Sequence, residues 1–157
     1  MAATNFISRV RLALQTAAQG VAPFLTTSSQ VVLGSYNWSA GTNLWKNIIT
    51  TGPWLFIKPP KGRADGITFN ANFTLKMDLI YGFAGNQNHD WQAEDQYVAN
   101  LVAAWTTYSE FVRGGNLGPF LLEWDEPEVA DDQEGIAVVA RTPFTLTMPM
   151  VADQGNV

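Results

Sequence analysis

Seven carboxylates crowd into the twelve residues from Glu123 to Glu134: Glu123, Asp125, Glu126, Glu128, Asp131, Asp132 and Glu134. Carboxylates so placed could hydrolyse a glycoside, hold a metal ion or present charge to a partner. A glycosidase needs two of them facing each other across a cleft, one with a raised pKa. Acids bunched on one proline-containing stretch do not meet that demand, because nothing in the sequence desolvates one of them. Calcium binding of the EF-hand type is disfavoured because the D-x-[DN]-x-[DN]-G spacing is missing. Two readings remain: a solvated loop, or an acidic surface that meets a partner or lines a passage.

The other polar groupings carry less chemistry. His89, Asp90, Glu94 and Asp95 stand close together, with Asp90 and Glu94 one helical turn apart. Asp90 is expected to cap a helix, and Glu94 and Asp95 to lie near the positive end of its dipole. His89 is the sole histidine and there is no cysteine, which excludes a zinc site of Cys and His ligands and a Cys-His active site. A Ser-His-Asp triad would have to use His89, and no serine sits in a nucleophile-elbow context. Glycine-rich phosphate-binding motifs are absent too. Lys58, Lys61 and Arg63 form the one basic cluster, expected on a Pro/Gly loop. They could meet phosphate, pair with the acidic stretch of a neighbouring subunit, or simply be solvated. None of this amounts to an active site, so the sequence reads as a protein that is not an enzyme and needs no cofactor or metal.

The surrounding chain has to position these charges. It has 157 residues, enough for one domain, with 46% hydrophobic and only 15% charged residues. That balance excludes a disordered chain. Net charge is -5, but half of the fourteen acids sit in one stretch. Six tryptophans and nine phenylalanines imply large apolar contact areas. No apolar run is long enough to span a membrane, and Arg9 and Arg11 interrupt the N-terminal apolar stretch, which argues against a signal peptide. Sequons at Asn37 and Asn72 mean nothing without secretion. The protein is expected to be made in a reducing cytoplasm.

Helical spacing of Ile7, Val10, Leu14 and Ala17 predicts a helix over about Asn5–Ala18, capped by Thr4 or Asn5. Residues 20–53 are irregular and aromatic-rich; Trp38, Trp45 and Trp54 flank or punctuate them and are candidates for contact with another subunit. Trp54–Lys58 reads as a short strand ended by Pro59 and Pro60. From Phe69 to Phe83 every odd position is apolar, the signature of a strand with one core face. Fifteen residues would span about 50 Å, so this strand should bend at a bulge or project beyond the core. A helix should run from about Asp90 to Gly114-Gly115, carrying Val98, Leu101, Val102, Trp105, Tyr108 and Val112 on one stripe. Phe120–Trp124 and Ile136–Met148 read as further strands, with Pro143 arguing for an edge or a bulge. The tail Val151–Val157 should fray. These elements predict a single α+β domain over residues 1–157, a mostly antiparallel sheet with the N-terminal helix and one long helix on one face. No internal repeat is visible.

Taken in order, the stretches FISRVRLALQTAA, PWLFIKPP, FTLKMDLIYGF, DWQAEDQYVANLVAAWTTY and GIAVVARTPFTLTMPM resemble the tail terminator (tail-completion) proteins of long-tailed bacteriophages. The resemblance rests on element order and hydrophobic pattern over most of the chain. It implies a structural virion protein of the tail or neck: a homo-oligomer, expected as a hexameric ring, that caps the tail tube and stops its polymerisation. Its partners would be the tail tube protein and the head-completion or connector proteins. DNA would pass through the channel without specific binding, and no membrane would be involved. The acidic stretch 123–134 would then line that channel or dock on the neighbouring ring. Another neck or tail component, such as a head-tail connector or tube subunit, has the same requirements. A ligand-binding α+β domain with a tryptophan-lined pocket is the alternative from a different class.

Overall fold

The computed structural model describes residues 6–36, 52–65, 70–84, 91–131 and 137–149. Thr4, Asn5, Trp38, Trp45, His89, Asp90, Asp132, Glu134 and the tail 151–157 lie outside them. The fold is α+β, a mostly antiparallel sheet with two helices packed on one face.

The first helix, α1, spans Phe6–Gln19 and buries Phe6, Val10, Ala13, Leu14, Ala17 and Ala18, the face that the i, i+3, i+4 spacing dictates. A short strand β1 (Val31–Leu33) lies in the stretch expected to be irregular and pairs in parallel with β2 (Trp54–Ile57). Then come β3 (Lys61–Asp65), β4 (Asn70–Ala84), α2 (Trp91–Thr107), β5 (Leu121–Trp124), β6 (Glu128–Asp131) and β7 (Ala137–Pro149).

The two long alternating strands form the spine. β4 and β7 pair antiparallel from Asn72↔Pro149 to Ala84↔Ala137 without a break in register. Phe73, Leu75, Met77, Leu79 and Tyr81 of β4, with Ala140, Thr142, Phe144, Leu146 and Met148 of β7, make one buried face under the helices. The expected bulge is not in the β4–β7 pairing, because β7 accompanies the 15-residue strand in register along nearly its whole length. The bulges lie on the strands that flank the spine. Between Ile57↔Met77 and Lys61↔Thr74, three residues (58–60) oppose two on β4. Between Trp124↔Phe144 and Glu128↔Arg141, three residues (125–127) oppose two on β7. Pro143 is accommodated there: its carbonyl accepts from the Asp125 amide at 3.2 Å, so its ring nitrogen faces the same side, into that bulge. Pro143 is thus neither on an edge nor in a bulged strand; the bulge is opposite it.

These paired bulges expose a repeat that the sequence hides. Advancing residue numbers by 67 (54 to 121) carries β2 onto β5, the start of β3 onto the start of β6, and that of β4 onto that of β7. The same shift carries Trp54↔Ile80 onto Leu121↔Thr147, and Lys61↔Thr74 onto Glu128↔Arg141. It also carries the bulge hydrogen bond, Lys58 amide to Lys76 carbonyl, onto Asp125 amide to Pro143 carbonyl. A pseudo-two-fold axis therefore passes through the Met77↔Phe144 pair. Each unit is a helix followed by a hairpin whose first strand is broken, and β1 is an addition to the first unit alone.

Helix α2 stops at Thr107, short of the expected Gly114-Gly115. Two successive β-branched residues end it: Thr106 Oγ1 donates to the Val102 carbonyl at 2.7 Å and Thr107 Oγ1 to the Ala103 carbonyl at 2.6 Å. Tyr108 and Val112 belong to the following turns, which the Glu110 carbonyl closes by accepting the amides of Leu117 and Gly118. Gly114 has φ +89, and a side chain at Gly115 would lie 2.5 Å from the Ser109 carbonyl oxygen, so the diglycine shapes this turn and not the helix end.

Candidate functional site

The acidic stretch is not a plain loop. Most of its described part is the broken edge strand β5–β6, which among the described residues pairs with β7 alone. Leu121, Trp124 and Val129 are exposed on it at 59%, 50% and 47%, beside exposed Glu123, Asp125, Glu126 and Glu128. Glu128 is held by Arg141 across the β6–β7 pair. Asp131 is the last residue of β6.

A groove of about 600 Å³ runs between this edge and α2. Val98 and Val102 of the helix supply apolar wall, Trp124 lies along the strand side, and Asp125, Glu126 and Pro127 close it at the bulge. Glu94 and Asp95 stand at the start of the helix. Glu94 lies in the first turn of α2, as expected, and is 2% exposed. Thr142 Oγ1 donates to its Oε1 at 3.4 Å. Burial pushes the Glu94 pKa up to about 7; the Thr142 hydrogen bond opposes that shift and the Asp95 charge adds to it. The sequence offered one signal for this, a glutamate within reach of the apolar stripe of α2, and helix-start electrostatics masked it.

The sign of the consequence is fixed. A carboxyl whose pKa rises on folding contributes stability that is fully present below its unfolded value near 4.5 and is lost as pH rises through about 7. Glu94→Gln is expected to remove that fall and to stabilise the protein at pH 8 by on the order of 1–3 kcal/mol. Urea midpoints from pH 4 to pH 9 measure it; parallel curves for the two proteins would refute it.

The basic cluster is split. Lys58 follows β2, in the bulge, and reaches Asp78 on β4, Nζ to Oδ2 2.6 Å, so its partner is within the chain. Lys61 and Arg63 lie on strand β3, not on a loop, and Lys61 is exposed. Trp54 stacks on Phe56 (6.0 Å, 12°) over the sheet face opposite the helices, part of a small cluster with Ile80, Val139 and Tyr36. Across that face runs a polar chain invisible in the sequence. Tyr36 Oη donates to Asp78 Oδ2 at 2.5 Å and accepts from Arg141 Nη1 at 3.4 Å, which leads on to Glu128. Burial, then the bond to Asp78, hold the Tyr36 phenol well above its ordinary pKa.

Among the described residues no cluster of three or more His, Cys, Asp or Glu side chains has the arrangement of a metal site, and no helix is long and apolar enough to cross a membrane. No family model matches the sequence, and no curated protein is similar to it. What the site offers is a sheet edge with no further strand partner among the described residues, apolar and acidic at once, beside a carboxylate-lined groove.

Proposed function

We propose that this chain is a structural subunit of a phage-type tail, of the terminator kind: a ring that caps the tail tube, stops its growth and joins it to the head-completion complex. One observation supports the reading above the others. Among the described residues the outer side of the β5–β6 edge has no strand partner beside Leu121, Trp124 and Val129, a combination that favours strand-to-strand or apolar association with another protein. Ring formation needs such a surface and no catalytic group. Concentrated negative charge would also let DNA slide past without the counterion release that drives binding.

The direct test is particle imaging. Labelled protein should decorate tail tips as single rings, and its omission should give overlong tubes. Long stacks of rings from purified protein would point instead to a tube subunit. Asp131→Lys with Asp132→Lys is expected to cut infectivity at least tenfold by impairing DNA passage or ring joining; wild-type titres from that variant would count against the reading.

A further inference from the structure

We infer that the chain associates head to tail with copies of itself, the basic β3 edge of one copy docking on the acidic β5–β6 edge of the next. The inference rests on the ring reading above and names its interface.

The pseudo-two-fold makes β3 and β6 counterparts. Each is the second segment of a broken flanking strand, and among the described residues each pairs only with its spine strand. They lie at opposite ends of the spine, β3 beside residues 70–74 of β4 and β6 beside residues 138–141 of β7. Two open edges on opposite sides of one subunit are what a heterologous contact requires, since each copy then offers a donor surface and an acceptor surface. Within one chain β3 and β6 run antiparallel, because each opposes a spine strand and the spine strands oppose each other. A similarly oriented neighbour therefore brings β3 to β6 as an antiparallel pair.

Charge distinguishes the two edges although the backbone does not. The first hairpin, residues 54–84, holds Lys58, Lys61, Arg63 and Lys76 against Asp65 and Asp78, a balance of +2. The matching residues 121–151 hold Arg141 against the seven acids of the 123–134 stretch, a balance of -6. Position by position, Lys61 corresponds to Glu128 and Lys58 to Asp125. Like edges repel and unlike edges attract, which selects head-to-tail contact over the symmetric alternative. Among the described residues Glu123, Asp125 and Glu126 make no ion pair within the chain, so this charge is available to a neighbour.

The groove beside the edge suits a cationic side chain with an aliphatic stem: carboxylates in its lining, Val98 and Val102 along its wall, and the half-exposed Trp124 ring, whose face attracts cations. The first unit already shows such a contact. Ile57 is the counterpart of Trp124, and its carbonyl accepts from Arg11 Nη2 at 3.0 Å. In the second unit a lysine or arginine from the next copy's β3 would take the corresponding place.

Light scattering over a concentration and salt series tests this with four samples. Wild type should self-associate, more weakly as salt rises. Lys61→Glu/Arg63→Glu and Asp125→Lys/Glu126→Lys should each associate at least tenfold more weakly. All four positions lie on edges or the bulge, and unchanged circular dichroism melts would show that folding is intact. An equimolar mixture of the two variants should recover association, since every contact in an alternating assembly is again acid against base. Either variant keeping the wild-type profile, a mixture that stays dissociated, or a wild type that is monomeric throughout would overturn the inference. Tail-tip imaging is independent of all three outcomes: a ring on the tip with an unaffected charge-swap series would leave the tail reading standing and remove this interface.

Discussion

Trp105→Ala is expected to lower stability by about 3–5 kcal/mol and Tm by on the order of 10 °C. Trp105 is 0% exposed and sits where the two units meet. Its ring packs edge-on against Phe144 (5.2 Å, 84°), the residue through which the pseudo-two-fold passes. Its Nε1 donates to the Leu14 carbonyl of α1 at 3.1 Å, tying the helix of the second unit to that of the first. Alanine removes the ring, leaves a cavity that rigid β-strand backbone cannot fill, and cuts the tie between helices. Trp105→Phe separates these effects. It keeps an aromatic edge on Phe144 but no donor, and should cost about 1–2 kcal/mol. Guanidinium unfolding with an unchanged m-value is the measurement. A loss for the alanine variant under about 1 kcal/mol would mean that the helices do not depend on this contact.

What could be read in the sequence and what could not divide along a physical line. The spine strands announce themselves because each has one dry face, and Phe73-x-Leu75-x-Met77-x-Leu79 and Phe144-x-Leu146-x-Met148 record it. Helices α1 and α2 show their stripes for the same reason. β3 (Lys-Gly-Arg-Ala-Asp) and β6 (Glu-Val-Ala-Asp) carry little alternation, since backbone pairing to a long strand is enough to hold them. The duplication is hidden because the matched hairpins keep Leu55/Leu122, Pro60/Pro127, Asp65/Asp132 and Leu79/Leu146 and little else. Burial demands hydrophobicity at core positions without fixing which apolar residue fills them, and the bulge tolerates proline. Of the candidate site, the acidic stretch was legible as charge. That it is an edge strand, and that Glu94 faces it from a buried position on α2, depends on tertiary contacts alone.

Asp78→Ala should produce the second large loss, about 2–4 kcal/mol, on the face opposite the helices. Asp78 is 3% exposed in the middle of β4, a position that a carboxylate can occupy only if its charge is met. Two donors meet it, Lys58 Nζ at 2.6 Å and Tyr36 Oη at 2.5 Å, and Lys58 also lies over the Tyr36 ring at 5.3 Å. Alanine strips both donors of their acceptor. Lys58, with 31% of its side chain exposed, can turn to water; Tyr36 keeps Arg141 as a weaker neighbour. The cost therefore falls below that of a fully buried pair broken on one side. Asp78→Asn distinguishes charge from hydrogen bonding. The amide oxygen still accepts from Tyr36, so its loss should be about half that of alanine. A double-mutant cycle with Lys58→Met then measures the ion pair itself, with a coupling of about 0.5–3 kcal/mol. Zero coupling, with equal losses for alanine and asparagine at neutral pH, would show that the carboxylate is tolerated on this face and does not hold β2, β4 and the segment after β1 together.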